Sequence, residues 1–189
     1  MSNQPPGRVP LLVDVDGVLN VIGAGVDGIL DRGLVPHDAV AETGDSYRLL
    51  IDPSVGERLL SLTDIFELVW CTTWGNANEA ISPLVGLPTN LRRVPIPGAW
   101  SHVTLSTNWS AKVPFIRSWA ADNGVDRLAW IDDDTGPMDT RALCTAFDRE
   151  LGHVMAGYPP LLDALALHIP PHRGLEQHHV DQLREWCEP

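Results

Sequence analysis

The chain has 189 residues, of which 44% are hydrophobic and 20% are charged, and its formal net charge is −12. One well-buried domain over residues 1–189 is the default for this length, and the acidic balance excludes the overall basic charge typical of nucleic-acid-binding proteins. No apolar run reaches the roughly 18 residues of a membrane helix, and three widely spaced cysteines argue against disulfides or zinc and favour a reducing cytoplasm.

The predicted elements alternate between short apolar strands and helices. In chain order, the first half comprises a disordered lead-in over 1–8, a strand over 9–15, an irregular flap over 20–52 with room for a hairpin, a helix over 53–62, a strand over 65–71, a helix over 77–85 and a strand over 92–96. The second half comprises a loop over 97–110, a helix over 111–123, a strand over 127–131, a helix over 139–151, a strand over 164–169 and a terminal helix over 174–189, on which His178 and His179 are expected to be exposed. This alternation predicts an α/β fold, a Rossmann-like three-layer sandwich around a mostly parallel central sheet.

Polar side chains follow three of the predicted strands. In an open parallel sheet, ligands bind beyond the carboxyl ends of the strands. The polar residues at those ends are Asp14 and Asp16, then Thr72 and Thr73, and finally Asp132, Asp133 and Asp134. The sequence therefore predicts a site of acids and hydroxyls at one edge of the sheet.

The chemistry of this predicted edge favours a magnesium ion and a phosphate group. Crowded carboxylates raise one another's pKa, and a divalent cation removes their repulsion. Hard oxygen ligands without a nearby histidine or cysteine select Mg²⁺, which binds one or two carboxylates together with substrate phosphate. An aspartate can also attack phosphorus, and a second acid two residues later, as Asp16 follows Asp14, shares its face of an extended segment and suits general acid/base work.

Four motifs resemble those of the haloacid dehalogenase (HAD) superfamily of phosphatases. DVDGV, which starts at Asp14, is similar to the first motif, and ELVWCTTW, which contains Thr72, is similar to the second. WSAKVPFI carries Lys112 where the third motif has its lysine, and LAWIDDD ends in the acids of the fourth. The four motifs occur in the order of the family and cover residues from about 11 to 134.

The resemblance implies catalytic roles for four residues. Asp14 would be the nucleophile, and Asp16 would be the general acid/base. Thr72 would hydrogen-bond a phosphoryl oxygen, and Lys112 would balance the charge of nucleophile and phosphate. Thr73 is an open alternative to Thr72, because it takes the same position if the strand before them ends one residue later.

The resemblance also implies a set of metal ligands. Asp14, Asp132 and Asp133 would hold Mg²⁺ directly or through water, together with the backbone carbonyl of Asp16. Asp134 is an open alternative to Asp133 in the acid pair. The carboxylate-rich set agrees with the preference for Mg²⁺ that the oxygen donors indicate on their own.

Three residues near these motifs, Gly17, Thr73 and Trp74, are expected to bind the substrate. Trp74 follows the strand predicted over 65–71, and Trp100 and Trp109 lie in the predicted loop before Lys112. Two alternatives stay open for these tryptophans: they stack on a base or ring of the substrate, or they cover the edge of the core.

The resemblance further indicates the type of reaction and the shape of the enzyme. The dehalogenases of the superfamily lack the second acid, so Asp16 favours phosphoryl transfer. The interval from Asp16 to Thr72 is only about 55 residues, which leaves no room for a separate cap domain. A capless enzyme has an open site, which suits a large substrate or a homodimer in which the partner subunit covers a small one.

A narrower likeness offers an alternative substrate. DVDGVLN, VWCTTWG, LVGLP and the terminal GLEQHHVDQL resemble small bacterial HAD proteins whose domain has been linked to RNA repair. This implies a polynucleotide-end phosphatase, acting on a phosphorylated nucleic-acid end instead of a small phosphorylated substrate. Four basic residues either form a local basic groove for such a partner or are scattered over the surface: Arg92, Arg93, Lys112 and Arg117.

A third alternative, from another functional class, is a non-catalytic phosphate-binding regulatory module. Such a module has no need of a general acid/base, so the presence of Asp16 argues against it. The sequence therefore favours a magnesium-dependent phosphohydrolase that cleaves a phosphate monoester through an aspartyl-phosphate at Asp14.

Overall fold

The computed structural model describes residues 8–97, 109–145 and 159–188. In chain order, its strands are β1 Val9–Val13, β2 Val35–Val40, β3 Ser46–Ile51, β4 Phe66–Trp70, β5 Arg92–Arg93, β6 Arg127–Asp132 and β7 Asp163–His168. Five of them form the central sheet in the order β5-β4-β1-β6-β7, and every neighbouring pair is parallel. The predicted α/β fold with a parallel sheet is confirmed.

Helices cover both faces of this sheet and complete a Rossmann-like three-layer sandwich. In chain order, they are α1 Val26–Arg32, α2 Val55–Leu60, α3 Ala77–Ala80, α4 Ser82–Val85, α5 Val113–Asn123, α6 Pro137–Cys144 and α7 Gln177–Cys187. Alternate residues of β1 point to opposite faces, so Leu11 and Val13 pack with α2 and α7, whereas Leu12 packs with α5 and α6. Because both faces are covered, the middle residues of β1, β4 and β6 are apolar and buried.

The predicted flap contains a short helix and a hairpin. Helix α1 contributes no buried residue, and β2 pairs antiparallel with β3 from Val35 opposite Ile51 to Val40 opposite Ser46. Among the hairpin residues, Ala39, Leu49 and Ile51 are buried and anchor it to the core on the α2 side of the sheet. The hairpin is therefore packed onto the body of the protein, whereas α1 lies on its surface.

Several predicted elements are shorter than expected, and prolines explain two of the differences. The helix predicted over 77–85 divides into α3 and α4, because Pro83 lies in the first turn of α4 and cannot continue the preceding helix. Strand β5 has only two residues, and Pro95 and Pro97 follow it. Helix α6 ends at Cys144 because Thr145 has an extended backbone; the rest of the helix predicted over 139–151 lies outside the described residues.

The strand order places β1 at the centre of the sheet, where the chain changes direction. From β1 the chain moves outward to β4 and β5, and it then returns to the other side of β1 to form β6 and β7. Such a switch point opens a crevice at the carboxyl ends of the two strands beside it. Those two strands are β1 and β6, and each is followed by an aspartate-containing segment. In the part of the chain that the structure describes, no helix has the length and hydropathy of a membrane span.

Candidate functional site

Three carboxylates meet at this switch point. Asp14 follows β1, Asp132 ends β6 and Asp133 follows it directly. One carboxylate oxygen from each of the three lies within 4.8 Å of the others. Asp134, the open alternative to Asp133, is exposed and lies outside this group, and its Oδ2 instead accepts a hydrogen bond of 3.4 Å from Ser110. The geometry therefore favours Asp133 as the third acid.

Lys112 supplies the positive charge of the site. It is the N-cap of α5, and its Nζ donates hydrogen bonds of 2.6 Å to Oδ2 of Asp14 and 2.6 Å to Oδ2 of Asp132. Lys112 is also the only lysine among the 189 residues. Burial works against its charge, but the two carboxylates outweigh it and hold the Lys112 pKa well above its usual value.

Burial and mutual repulsion act on all three carboxylates. Burial raises the pKa of Asp14 to about 7 although the Lys112 ammonium opposes the shift. Burial and the charge of Asp14 raise the pKa of Asp133 to about 6, and burial also raises the pKa of Asp132. One ammonium therefore does not compensate three clustered acids, and their hard oxygen donors fit a divalent cation such as Mg²⁺.

The carboxylate of Asp16 lies apart from the group of three and has its own partners. Its Oδ1 accepts a hydrogen bond of 2.8 Å from the side-chain amide of Asn20, and its Oδ2 accepts one of 2.9 Å from the indole N–H of Trp74. Asn20 in turn accepts a hydrogen bond of 2.9 Å from the backbone N–H of Leu50 on β3. The predicted acid/base is thus held from two sides, and one of its supports is tied to the flap hairpin.

Gly17 follows Asp16 and packs so closely against Asp133 that only a glycine fits at this position. Its φ is +72°, in the left-handed region, and a Cβ at this position would lie 2.3 Å from Cγ of Asp133. Close approach of this turn to Asp133 therefore depends on the missing side chain. Direct contact of Gly17 with a substrate stays a prediction.

The two threonines after β4 lie at the same edge of the sheet. Thr72 is buried, and its Oγ1 accepts a hydrogen bond of 3.3 Å from the backbone N–H of Trp74. Thr73 is partly exposed. The choice between the two hydroxyls as the phosphoryl ligand therefore stays a prediction.

Two further residues position Lys112, and the sequence analysis did not identify them. Asp139, buried in the first turn of α6, accepts hydrogen bonds of 2.7 Å from the backbone N–H of Ser110 and 2.6 Å from that of Gly136. The hydroxyl of Ser110 accepts a bond of 3.3 Å from the backbone N–H of Lys112. Asp139 therefore links the segment before Lys112 to the loop after β6. The one local sequence signal for this role is that Asp139 lies three residues after Gly136, the N-cap of α6.

Two of the three tryptophans considered for stacking are described and buried, which favours the alternative in which they cover the core. Trp74 and Trp109 are 7% and 8% exposed, whereas Trp100 lies outside the described residues. Trp130 is fully buried, and its indole N–H also donates a hydrogen bond of 3.1 Å to Asp132. Its ring therefore both packs in the sheet and orients one of the three acids.

The four basic residues considered for a nucleic-acid groove do not form one. Arg117 is 1% exposed, and Arg92 makes paired hydrogen bonds of 2.7 and 2.8 Å to Glu67 while its guanidinium lies over the ring of Trp119. Lys112 is occupied by the carboxylates of the site. Arg93 is exposed and donates a hydrogen bond to the backbone carbonyl of Gly75. The four cations therefore have separate partners, which favours the alternative in which they are scattered.

No protein-family model matches this chain, and no curated protein matches it in sequence.

Proposed function

We propose that the protein is a metal-dependent phosphohydrolase of the HAD type that cleaves phosphate monoesters. The observation that carries the proposal is the position of Lys112, whose Nζ lies 2.6 Å from both Asp14 and Asp132 at the centre of three clustered acids. A second acid, Asp16, lies beside this cluster with its own hydrogen-bond partners. A nucleophile, a separate acid/base and a fixed cation are the groups that this chemistry requires.

Asp14, Asp132 and Asp133 would hold a divalent cation, and Mg²⁺ fits their oxygen donors. Bound there, the ion would neutralise the acids and withdraw charge from the phosphoryl oxygens. The residues of the chain would perform the transfer itself. A carboxylate oxygen of Asp14 attacks phosphorus, the ester P–O bond breaks, and the proton of Asp16 passes to the leaving oxygen.

The second half of the reaction uses the same two acids. Asp16, now ionised, takes a proton from water as that water attacks phosphorus, the bond between phosphorus and Asp14 breaks, and inorganic phosphate leaves. The Lys112 ammonium favours the ionised form of Asp14 against the effect of burial, and it balances the charge that collects on the phosphoryl oxygens. The free enzyme is restored with atoms and charges balanced.

The experiment that tests this proposal is the release of phosphate from p-nitrophenyl phosphate by the purified protein, with Mg²⁺ and with EDTA. Turnover should require Mg²⁺ and should be lost in Asp14→Asn. The matched control is Asp122→Asn, which makes the same change at an exposed position of α5 and should keep full turnover. Equal turnover by Asp14→Asn and the control would refute the nucleophile.

The two alternatives predict different results in this assay and in the same assay with phosphorylated oligonucleotides. A non-catalytic phosphate-binding module would bind inorganic phosphate but release none from any ester. A polynucleotide-end phosphatase would act on oligonucleotides with a 3′- or 5′-phosphate and leave small esters untouched. The buried tryptophans and the net charge of −12 favour the small ester among these substrates.

A further inference from the structure

A cavity of about 450 Å³ lies between the flap and the body of the protein, outside the carboxylate site. The end of α1, the start of α2 and the start of α7 border it. A hydrogen bond of 2.9 Å from the backbone N–H of Leu175 to the carbonyl of Val18 joins its wall to the turn after Asp16. The cavity therefore opens near the site but is built from different residues.

Positive charge exceeds negative charge in this cavity. Its charged lining residues are Arg32, Arg58, Arg173, Asp52 and Glu176, with His178 beside them. Three guanidinium groups thus face two carboxylates, in a chain whose formal net charge is −12. A local cationic cavity on an acidic protein favours an anionic ligand.

The two carboxylates are bonded mainly to two of the three arginines. Asp52 accepts a hydrogen bond of 2.7 Å from Arg58, and Glu176 accepts two of 2.8 Å from Arg173. Among the described residues, Arg32, on the last turn of α1, has only a longer ion pair of 3.7 Å from its Nη2 to Asp52. Arg32 is therefore the cation with the greatest remaining capacity for a ligand.

One donor of Arg32 has no acceptor within the described part of the chain. Its Nη1 is buried and makes no hydrogen bond there. The guanidinium of Arg32, which lines the cavity, is therefore only partly paired by the described residues.

We propose that this cavity binds a phosphate-sized oxyanion, held by Arg32 with Arg58 and Arg173 on either side. The planar guanidinium group offers pairs of N–H donors whose spacing matches phosphate oxygens. Because α1 buries none of its own residues, the ligand would add the main polar link between this helix and the body. The proposal does not depend on the chemistry at Asp14. The phosphate group belongs either to inorganic phosphate or to a phosphorylated metabolite.

Site-resolved NMR of the full chain tests this proposal, with inorganic phosphate in one arm and glycerol phosphate in the other. Amide signals of Arg32, Ser54 and Gln177 should shift on titration, separately from those beside Lys112. Arg32→Gln should weaken phosphate binding at these amides about 10-fold or more, since it removes a charge-assisted hydrogen bond. Arg173→Gln should weaken it in the same direction.

The matched control is Arg48→Gln, which removes the same charge from an exposed position of the flap hairpin. It should leave the phosphate affinity of the cavity unchanged. Tighter binding of inorganic phosphate would identify free phosphate as the ligand, and tighter binding of glycerol phosphate would identify an ester. Equal binding would support a site that recognises the phosphate group alone. Absence of shifts at the cavity amides, or equal weakening by Arg48→Gln, would overturn the proposal, whatever activity the Asp14 site has.

Discussion

The indole N–H of Trp74 donates a hydrogen bond of 2.9 Å to Oδ2 of Asp16. The two residues are 58 positions apart in the chain, and they meet because β4 and β1 are neighbours whose carboxyl ends lie at the same edge. The bond fixes the direction of the carboxylate that we propose as the general acid/base. Trp74 is therefore a positioning residue, even though its ring is buried.

We expect Trp74→Phe to lower the kcat of ester hydrolysis about 10-fold with little change in KM, because Asp16 loses one of its two supports. Steady-state kinetics with Mg²⁺ provide the measurement. Trp70→Phe is the control, since it removes another buried indole donor, bonded at 3.1 Å to Asn78. An equal loss of kcat in both variants would show that packing, not the Asp16 bond, is responsible.

Gly17→Ala should disturb Asp133 and weaken Mg²⁺ binding by about 10-fold, because the new Cβ has no space beside that carboxylate. Isothermal titration calorimetry with Mg²⁺ gives the affinity. Gly23→Ala is matched in backbone strain, with a φ of +76° against +72°, but a Cβ there meets no atom within 4 Å. Its Mg²⁺ affinity should equal that of the unmodified protein. A similar loss in both variants would show that backbone strain, and not the contact with Asp133, lowers the affinity.

Asp133→Asn should lower the affinity for Mg²⁺ by about 10-fold or more, whereas Asp134→Asn should change it much less. The reason is that Asp133 belongs to the group of three acids and Asp134 is exposed. The same calorimetric titration distinguishes the two variants. The opposite ranking would restore Asp134 as the fourth-motif ligand.

The charge state of Lys112 can be observed directly. Lysine labelled with ¹³C at Cε should give one side-chain signal, because the chain has a single lysine. Asp14 and Asp132 hold the Lys112 pKa well above its usual value, so the signal should stay constant as the pH rises through about 10.4, where a free lysine titrates. Asp14→Asn should move the titration to lower pH, and Asp122→Asn should not. A midpoint at the free value would contradict the paired geometry.

The stability of the protein should depend on pH through His179. Burial lowers the pKa of His179 to about 4, and its Nδ1 accepts a hydrogen bond of 3.0 Å from the backbone N–H of Glu176. At this histidine, the folded state binds fewer protons than the unfolded state between about pH 4 and the free histidine value of about 6.5. The contribution of His179 to the free energy of unfolding should therefore be complete above about pH 6.5 and fall by about 1–3 kcal/mol towards pH 4.

His179→Gln should flatten this dependence, because glutamine keeps an acceptor for the helix start but does not titrate in that range. Urea unfolding at several pH values measures the slope. His172→Gln, at an exposed position in the turn before α7, is the control and should retain it. An unchanged slope in His179→Gln would exclude this histidine as the source.

The strands and the edge where their acids collect could be predicted from sequence, because short apolar runs followed by acids are local signals. Asp14 and Asp132 accordingly lie together at neighbouring strand ends. The break at Pro83 was also encoded locally, but the helical spacing around it concealed the signal.

Contacts between distant side chains could not be predicted. The expectation that His179 is exposed was wrong: it is 3% exposed, because α7 packs against α2 and turns that side of its first turn inward. The bonds of Trp74 to Asp16 and of Asp139 to Ser110 likewise join segments that only the folded chain brings together. The local sequence does not show which of these segments meet in the fold.

The position of β1 between β4 and β6 also bears on how the protein folds. Asp14 comes from the first strand, but its partners Asp132 and Lys112 come from the second half of the chain. A fragment that ends before α5 therefore lacks Asp132 and Asp133, and the three carboxylates come together only after β6 has paired with β1. Because a ligand that binds only the native state stabilises it by mass action, added Mg²⁺ should raise the free energy of global unfolding while leaving partly folded forms unaffected.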